Sequence, residues 1–258
     1  MAQSRYIPTD PSFLLSLEAT MTAPAATQPS RLDDYMDVFL SPSSLFERRA
    51  DGRFGQALLV FVLAVVLLYF LTRAAMAPIM DAEFERGIAA AVKANPNLTE
   101  DQLGGMRRFG EVMGMVFAAV GTPIMLLLLG AAVWLAARVV GAGVSYAQGA
   151  TIATFAMFPK LLDSVSGALQ ALFLDEAALT GRFSVSLGVG RFFDPDATSQ
   201  LLLQTVGRID LFTIWTTVLV GIGIKVMGKA STGQAVGAAM LVWILGGLPT
   251  LLQALQAG

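Results

Sequence analysis

The residues with the most chemistry to offer are Lys160 and Asp163, three positions apart in the apolar stretch FAMFPKLLDSVSG, and Arg208 and Asp210, which flank a second apolar stretch. A spacing of three sets Lys160 and Asp163 on one helical face. An ammonium and a carboxylate so placed could form a packing pair, or a polar site for an ion or a solute. Ionisable groups in a membrane segment are functional candidates by default, because each costs about 2.5–3.5 kcal/mol at a helix centre. Ser164 and Ser166 lie near Lys160, so Ser–Lys chemistry is a distant third reading, and no paired acids, GxGD-like motif or Ser/His arrangement points to an intramembrane enzyme. The chain contains no Cys and no His. That excludes disulfides, Cys/His zinc centres and any imidazole base. No catalytic residue, metal site or cofactor is expected, and a net charge of −2 gives no basic field for nucleic acid.

The elements that position these charges are membrane helices. Of the 258 residues 55% are hydrophobic and 14% charged, with a mean hydropathy of +0.66. Soluble domains carry about 25% charged residues. Stretches of about 20 apolar residues can cross a bilayer, and five occur, at 54–72, 112–137, 146–174, 209–226 and 234–256. The expected class is therefore an all-α, polytopic membrane protein with five transmembrane helices. Residues 1–30, without hydrophobic periodicity, are expected to be a disordered tail. Met21 opens an alternative start. No signal peptide is evident, so the first span would act as an uncleaved anchor.

Arg48, Arg49 and Arg53 precede the first span, and the short turns at 138–145 and 225–233 carry Arg138, Lys225 and Lys229 without any acid. This bias predicts a cytoplasmic N-terminus and a C-terminus outside. Lys160 then lies about 21 Å along the third span and Asp163 about 25 Å, in the outer half of a core about 30 Å thick. Arg208 and Asp210 enter the fourth span from the same side, so the four charges are expected near one level. Pro159 is the candidate hinge beside them, since it removes one helical hydrogen bond.

Residues 31–53 read as a cytoplasmic amphipathic lead-in. Tyr35, Met36, Phe39 and Leu40 share a face, and Ser41-Pro42 starts a second short helix that reads either as a plain helical lead-in to the first span or as a segment whose Leu45 and Phe46 meet the membrane surface. After the first span, a separate helix is expected over 81–94, stopped at Asn95-Pro96, and Thr99 with Gln102 forms a capping box for the next. The loop RFSVSLGVGRFFDPD suggests a small hairpin or an irregular cap. Its Gly188-Val189-Gly190 is no dinucleotide fingerprint, because the third glycine and the strand–helix context are missing.

The two short turns, RVVGAGVSYAQGA and KVMGKASTGQAVGA, resemble each other. Arg138 aligns with Lys225, Gly141 with Gly228, and Ser145/Gln148 with Ser231/Gln234. Duplication of a helical hairpin and convergence on a common turn both remain open. Gly110/Gly114 and Gly233/Gly237 offer small-residue faces for close helix packing.

With FLSPSSLFER before the first span, FAMFPKLLDSVSGAL in the third and RIDLFTIWTTVLVGIGIKVMGKAS in the fourth, the chain from Leu40 onward resembles bacterial Yip-type (Yip-one domain, Ypt/Rab-interacting) membrane proteins. The resemblance implies a five-span, N-in, non-enzymatic protein of the bacterial inner membrane. It would organise membrane or bind membrane and cytoplasmic partners, with lateral contacts that include homo-oligomers. Eukaryotic relatives bind Rab-type GTPases, but the acidic motifs of that branch are not evident here. The alternative is a small permease or channel subunit using Lys160, Asp163 and Asp210.

Overall fold

The computed structural model describes residues 32–256, with side chains to 252; the expected disordered tail falls outside them. From Tyr35 onward the chain forms one compact unit. Among the described residues it is helical, with no strand and one isolated antiparallel bridge. Three helices are long and apolar enough to cross a membrane, within Gly55–Ala94, Glu100–Val139 and Thr232–Leu252. Leu211–Met227 is apolar but shorter.

The lead-in comprises α1 (Asp33–Leu40) and α2 (Pro42–Arg48). Its Leu45 and Phe46 do not face outward, where they could meet a membrane surface. Leu45 and Phe46 are fully buried, and α2 packs along α9 (Leu211–Met227). The inward face of α1 is also shifted by a turn's fraction. Tyr35, Val38 and Phe39 join the core while Met36 and Leu40 are exposed. The reason is aromatic packing: Tyr35 meets Phe158 at 5.4 Å between ring centroids, and Phe39 meets Trp215 edge-on at 5.4 Å. Such pairs contribute about 0.5–1.5 kcal/mol beyond buried area.

Helix α3 (Gly55–Ala94) joins the expected first span and the expected 81–94 helix into one rod, continuous through Pro78. Its 40 residues extend about 60 Å, twice the hydrocarbon thickness. Its partner begins at Thr99, whose capping box with Gln102 forms as the spacing predicts. It runs through α4 (Glu100–Val116), one π-helical turn (Phe117–Gly121) and α5 (Thr122–Val139). Pro123 lacks an N–H and crowds the turn before it, and the π turn absorbs that mismatch without a break.

The stretch expected as a continuous third span is divided. α6 (Tyr146–Ala156) ends at Met157–Phe158, and α7 (Pro159–Phe173) restarts with Pro159 at its first position, where a missing N–H costs nothing. Through the break, Met157 and Phe158 donate to Thr154 and Phe155 in the shorter three-residue pattern. α6 is the most enclosed helix, buried from Gly149 to Ala156. It owes this to small residues: a Cβ on Gly149 would stand 2.6 Å from the Gly130 carbonyl oxygen, and one on Gly223 2.7 Å from Ile152. The glycine pairs singled out from spacing do less, since Gly110 and Gly233 face open space.

The second long loop is an irregular cap with two 3₁₀ turns (Glu176–Ala178 and Val189–Phe192) and α8 (Gln200–Val206). It is held by Gln170 donating to Val185 O (2.8 Å) and by the Arg182 N–H donating to Glu83 (3.0 Å). The last helix, α10 (Thr232–Gln256), packs on α9 and α5.

Candidate functional site

Asp210 precedes α9 as its N-cap, in extended backbone conformation, and its Oδ1 accepts from the N–H groups of Phe212 and Thr213, both at 3.0 Å. A carboxylate here satisfies two amides that the helix cannot and meets the positive end of the helix dipole. Lys160 stands in the first turn of α7. Its ammonium donates to Asp163 Oδ2 (3.1 Å), Asp210 Oδ1 (3.2 Å) and Thr213 Oγ1 (2.9 Å). An ammonium has three protons, and three acceptors take them. The cluster therefore ties α7 to the start of α9. Burial is graded, with the Asp210 side chain 9% exposed, Lys160 27% and Asp163 33%.

The surrounding loop closes on Asp210. Val189 N–H donates to Ile209 O (2.9 Å) and Leu211 N–H to Leu187 O (3.2 Å), forming the bridge between Gly188 and Asp210. A Cβ on Gly188 would lie 2.5 Å from the Asp210 Cβ. Gly188 thus has a physical role that motif inspection missed, and the tight approach could not be read without knowing which backbone it faces.

Arg208 does not join the cluster. It turns to α10, donates to the Trp243 carbonyl and lies over the Trp243 ring at 4.7 Å from the centroid. Burial lowers its pKa from the ordinary arginine value, and Asp210 opposes that shift. Three of the four expected charges meet, and the fourth pins a different helix. Phe158, the residue before Pro159, packs with Tyr35 and Phe155, and Phe61 adds an edge contact at 5.4 Å. The break beside the cluster therefore carries a packed aromatic ring, Phe158. A lateral groove of about 590 Å³ runs between α7 and α9, lined mainly by apolar side chains such as Leu162, Leu169 and Trp215 and by none of the three clustered charges. Among the described residues no group of three acidic, His or Cys residues could hold a metal ion.

The capped turns at the other end also follow the sequence. Ser145/Gln148 and Ser231/Gln234 both form full capping boxes. Each Gln then donates further, Gln148 to Ala50 O and Gln234 to Val140 O, both at 2.8 Å.

Fold and site together define an all-helical protein integrated in the membrane, in which Lys160, Asp163 and Asp210 bond to one another. The Yip1 domain model matches residues 36–252, and the chain belongs to the Yip1 domain family. No curated protein and no solved structure matches it.

Proposed function

We propose that this protein is a non-enzymatic, multi-pass protein that organises membrane or binds membrane partners, in the manner its family suggests. Five crossings are proposed: α3, α4–α5, the divided α6–α7, α9 and α10. What supports the count is the pattern of bonds at one end of the bundle. Gln148 to Ala50, Gln234 to Val140 and Gly143 N–H to Gly228 O (3.3 Å) gather the start of α3, the end of α5, the start of α6, the end of α9 and the start of α10. Helices that alternate in this way leave the two termini on opposite sides. The cations at the gathered end favour the cytoplasm for it, and a bacterial inner membrane is the location the sequence resemblance suggests.

The observation that carries the non-transport reading is the saturated Lys160 ammonium, with every proton engaged by Asp163, Asp210 and Thr213. A permease site at Lys160, Asp163 and Asp210 is less well supported, because these three bond to one another and none of them lines the groove between α7 and α9. Partner contacts are assigned to the exposed side of α1 at Met36 and Leu40, 62% and 73% exposed. This differs from contact through Leu45 and Phe46, which are core residues. Photo-crosslinking side chains at Met36 and Leu40 test the assignment in cells. Discrete protein adducts at these positions are expected, and adducts with lipid alone would overturn it. Contacts between copies of the chain would appear as a homodimer band.

A further inference from the structure

Two turns at one end of the bundle close in the same way, and one of them does so with an unexpected residue. After α5, Ala142 N–H donates to Ala137 O (2.8 Å) and Gly141 N–H to Arg138 O (3.0 Å). After α9, Ala230 N–H donates to Lys225 O (3.1 Å) and Lys229 N–H to Val226 O (3.4 Å). Both are six-to-one, five-to-two closures that require a left-handed residue just past the cap. That residue is Gly141 in the first turn (φ 77°) and Lys229 in the second (φ 49°), so hydrogen bonding pairs Gly141 with Lys229, not with Gly228. Lys229 is the only non-glycine with positive φ among the described residues. A side chain there costs about 1–2 kcal/mol that glycine would not. Gly228 cannot take over the position by a shift of register. A Cβ on it would stand 2.7 Å from Val144 Cγ2, where the two turns meet.

A cation held at an unfavourable backbone position points to a use for the charge. Lys229 is exposed, as are Lys225 and Arg138 on the same pair of joined turns. Among the described residues none of the three forms an ion pair. Of the acids that precede α3, Glu47 stands in the last turn of α2, and Asp51 pairs with Arg53 at 3.0 Å. Arg138 lies over the Trp134 ring at 5.1 Å, and Trp134 meets Tyr146 edge-on at 6.4 Å. Trp and Tyr beside exposed cations mark the headgroup level of a bilayer. The turns also end one candidate span at Val139 and begin another at Thr232. We infer that Arg138, Lys225 and Lys229 form a binding site for the phosphate of an anionic phospholipid in the leaflet that these turns meet. Topology alone needs positive charge near this end. It does not need that charge at a left-handed position.

The test uses the full chain in bilayers, with Trp215→Phe and Trp243→Phe leaving Trp134 as the single tryptophan. Its quenching by brominated phosphatidylglycerol is compared with that by brominated phosphatidylcholine. The anionic lipid is expected to quench at lower mole fraction. Lys229→Gly should reduce that preference about fivefold, the equivalent of ~1 kcal/mol for one cation near the surface. The same change should raise the unfolding midpoint by relieving the left-handed conformation, and Lys229→Arg should keep the preference. Equal quenching by the two lipids, or an undiminished preference in Lys229→Gly, would overturn the inference. So would displacement of the anionic lipid by soluble polyglutamate, which would assign the site to an acidic protein.

Discussion

The two ends of the helical bundle are closed by different physics. At the end that gathers residues 50–52, 138–148 and 225–234, backbone amides and carbonyls bond to one another, glutamine amides staple neighbouring turns, and small residues let α5 and α6 touch. At the end that holds Asp210, one ammonium joins two helices through three side-chain acceptors, beneath a loop of short helical turns and irregular backbone. The first arrangement is spread over many weak, local terms. The second concentrates its stability in a few charged groups, each of which leaves a buried partner exposed to loss. Substitutions at the first end should therefore be mild unless they obstruct backbone approach, and those at the second should depend on how buried the affected charge is.

The largest expected effect probes that exception. Gly149→Ala places a Cβ 2.6 Å from the Gly130 carbonyl oxygen and should destabilise the protein by about 3 kcal/mol. Gly110→Ala, at a glycine with nothing within 4 Å, should instead stabilise it by about 0.5–1 kcal/mol through helix propensity. Urea or thermal unfolding in detergent reads both. Equal losses from the two would erase the distinction drawn between packed and open glycines.

Asp210→Ala removes an N-cap and leaves the ammonium of Lys160 short of an acceptor. A loss of about 2–3 kcal/mol is expected, with the cap contributing about 1 kcal/mol. Gly188→Ala should reproduce part of it by pushing Asp210 from its place, and amide exchange at Phe212 and Thr213 would detect the released cap. Gln148→Ala and Gln234→Ala each remove a capping partner and a staple, and about 1 kcal/mol each is expected. The two share no hydrogen-bond partner, so their effects should add. The smallest effect belongs to Asp163→Asn, below about 1 kcal/mol, because that side chain is one-third exposed and its partner keeps Asp210.

Local chemistry made much of this legible in sequence. Thr99/Gln102, Ser145/Gln148 and Ser231/Gln234 are capping boxes whose partners lie three residues away, and all three form. Lys160 and Asp163 are likewise near neighbours along a helix. What sequence concealed depends on contacts distant in the chain. The burial of Leu45 and Phe46 requires α9, the role of Gly188 requires Asp210, and the direction of Arg208 requires Trp243. Hydropathy also merged α6 and α7 into one span, because an apolar run does not register a break whose polar groups are satisfied inside the bundle. Spacing alone favoured Gly110/Gly114 and Gly233/Gly237, while a close approach of two helices came at Gly130 and Gly149.

On the proposed reading Lys160, Asp163 and Asp210 fasten α7 to α9 and carry no proton or solute. Lys160→Met in proteoliposomes tests it most directly, with unfolding and flux measured on the same preparation. A destabilisation of about 2 kcal/mol is expected, with no proton or solute flux in either the parent protein or the variant. A flux in the parent that Lys160→Met abolishes, at unchanged stability, would contradict the account.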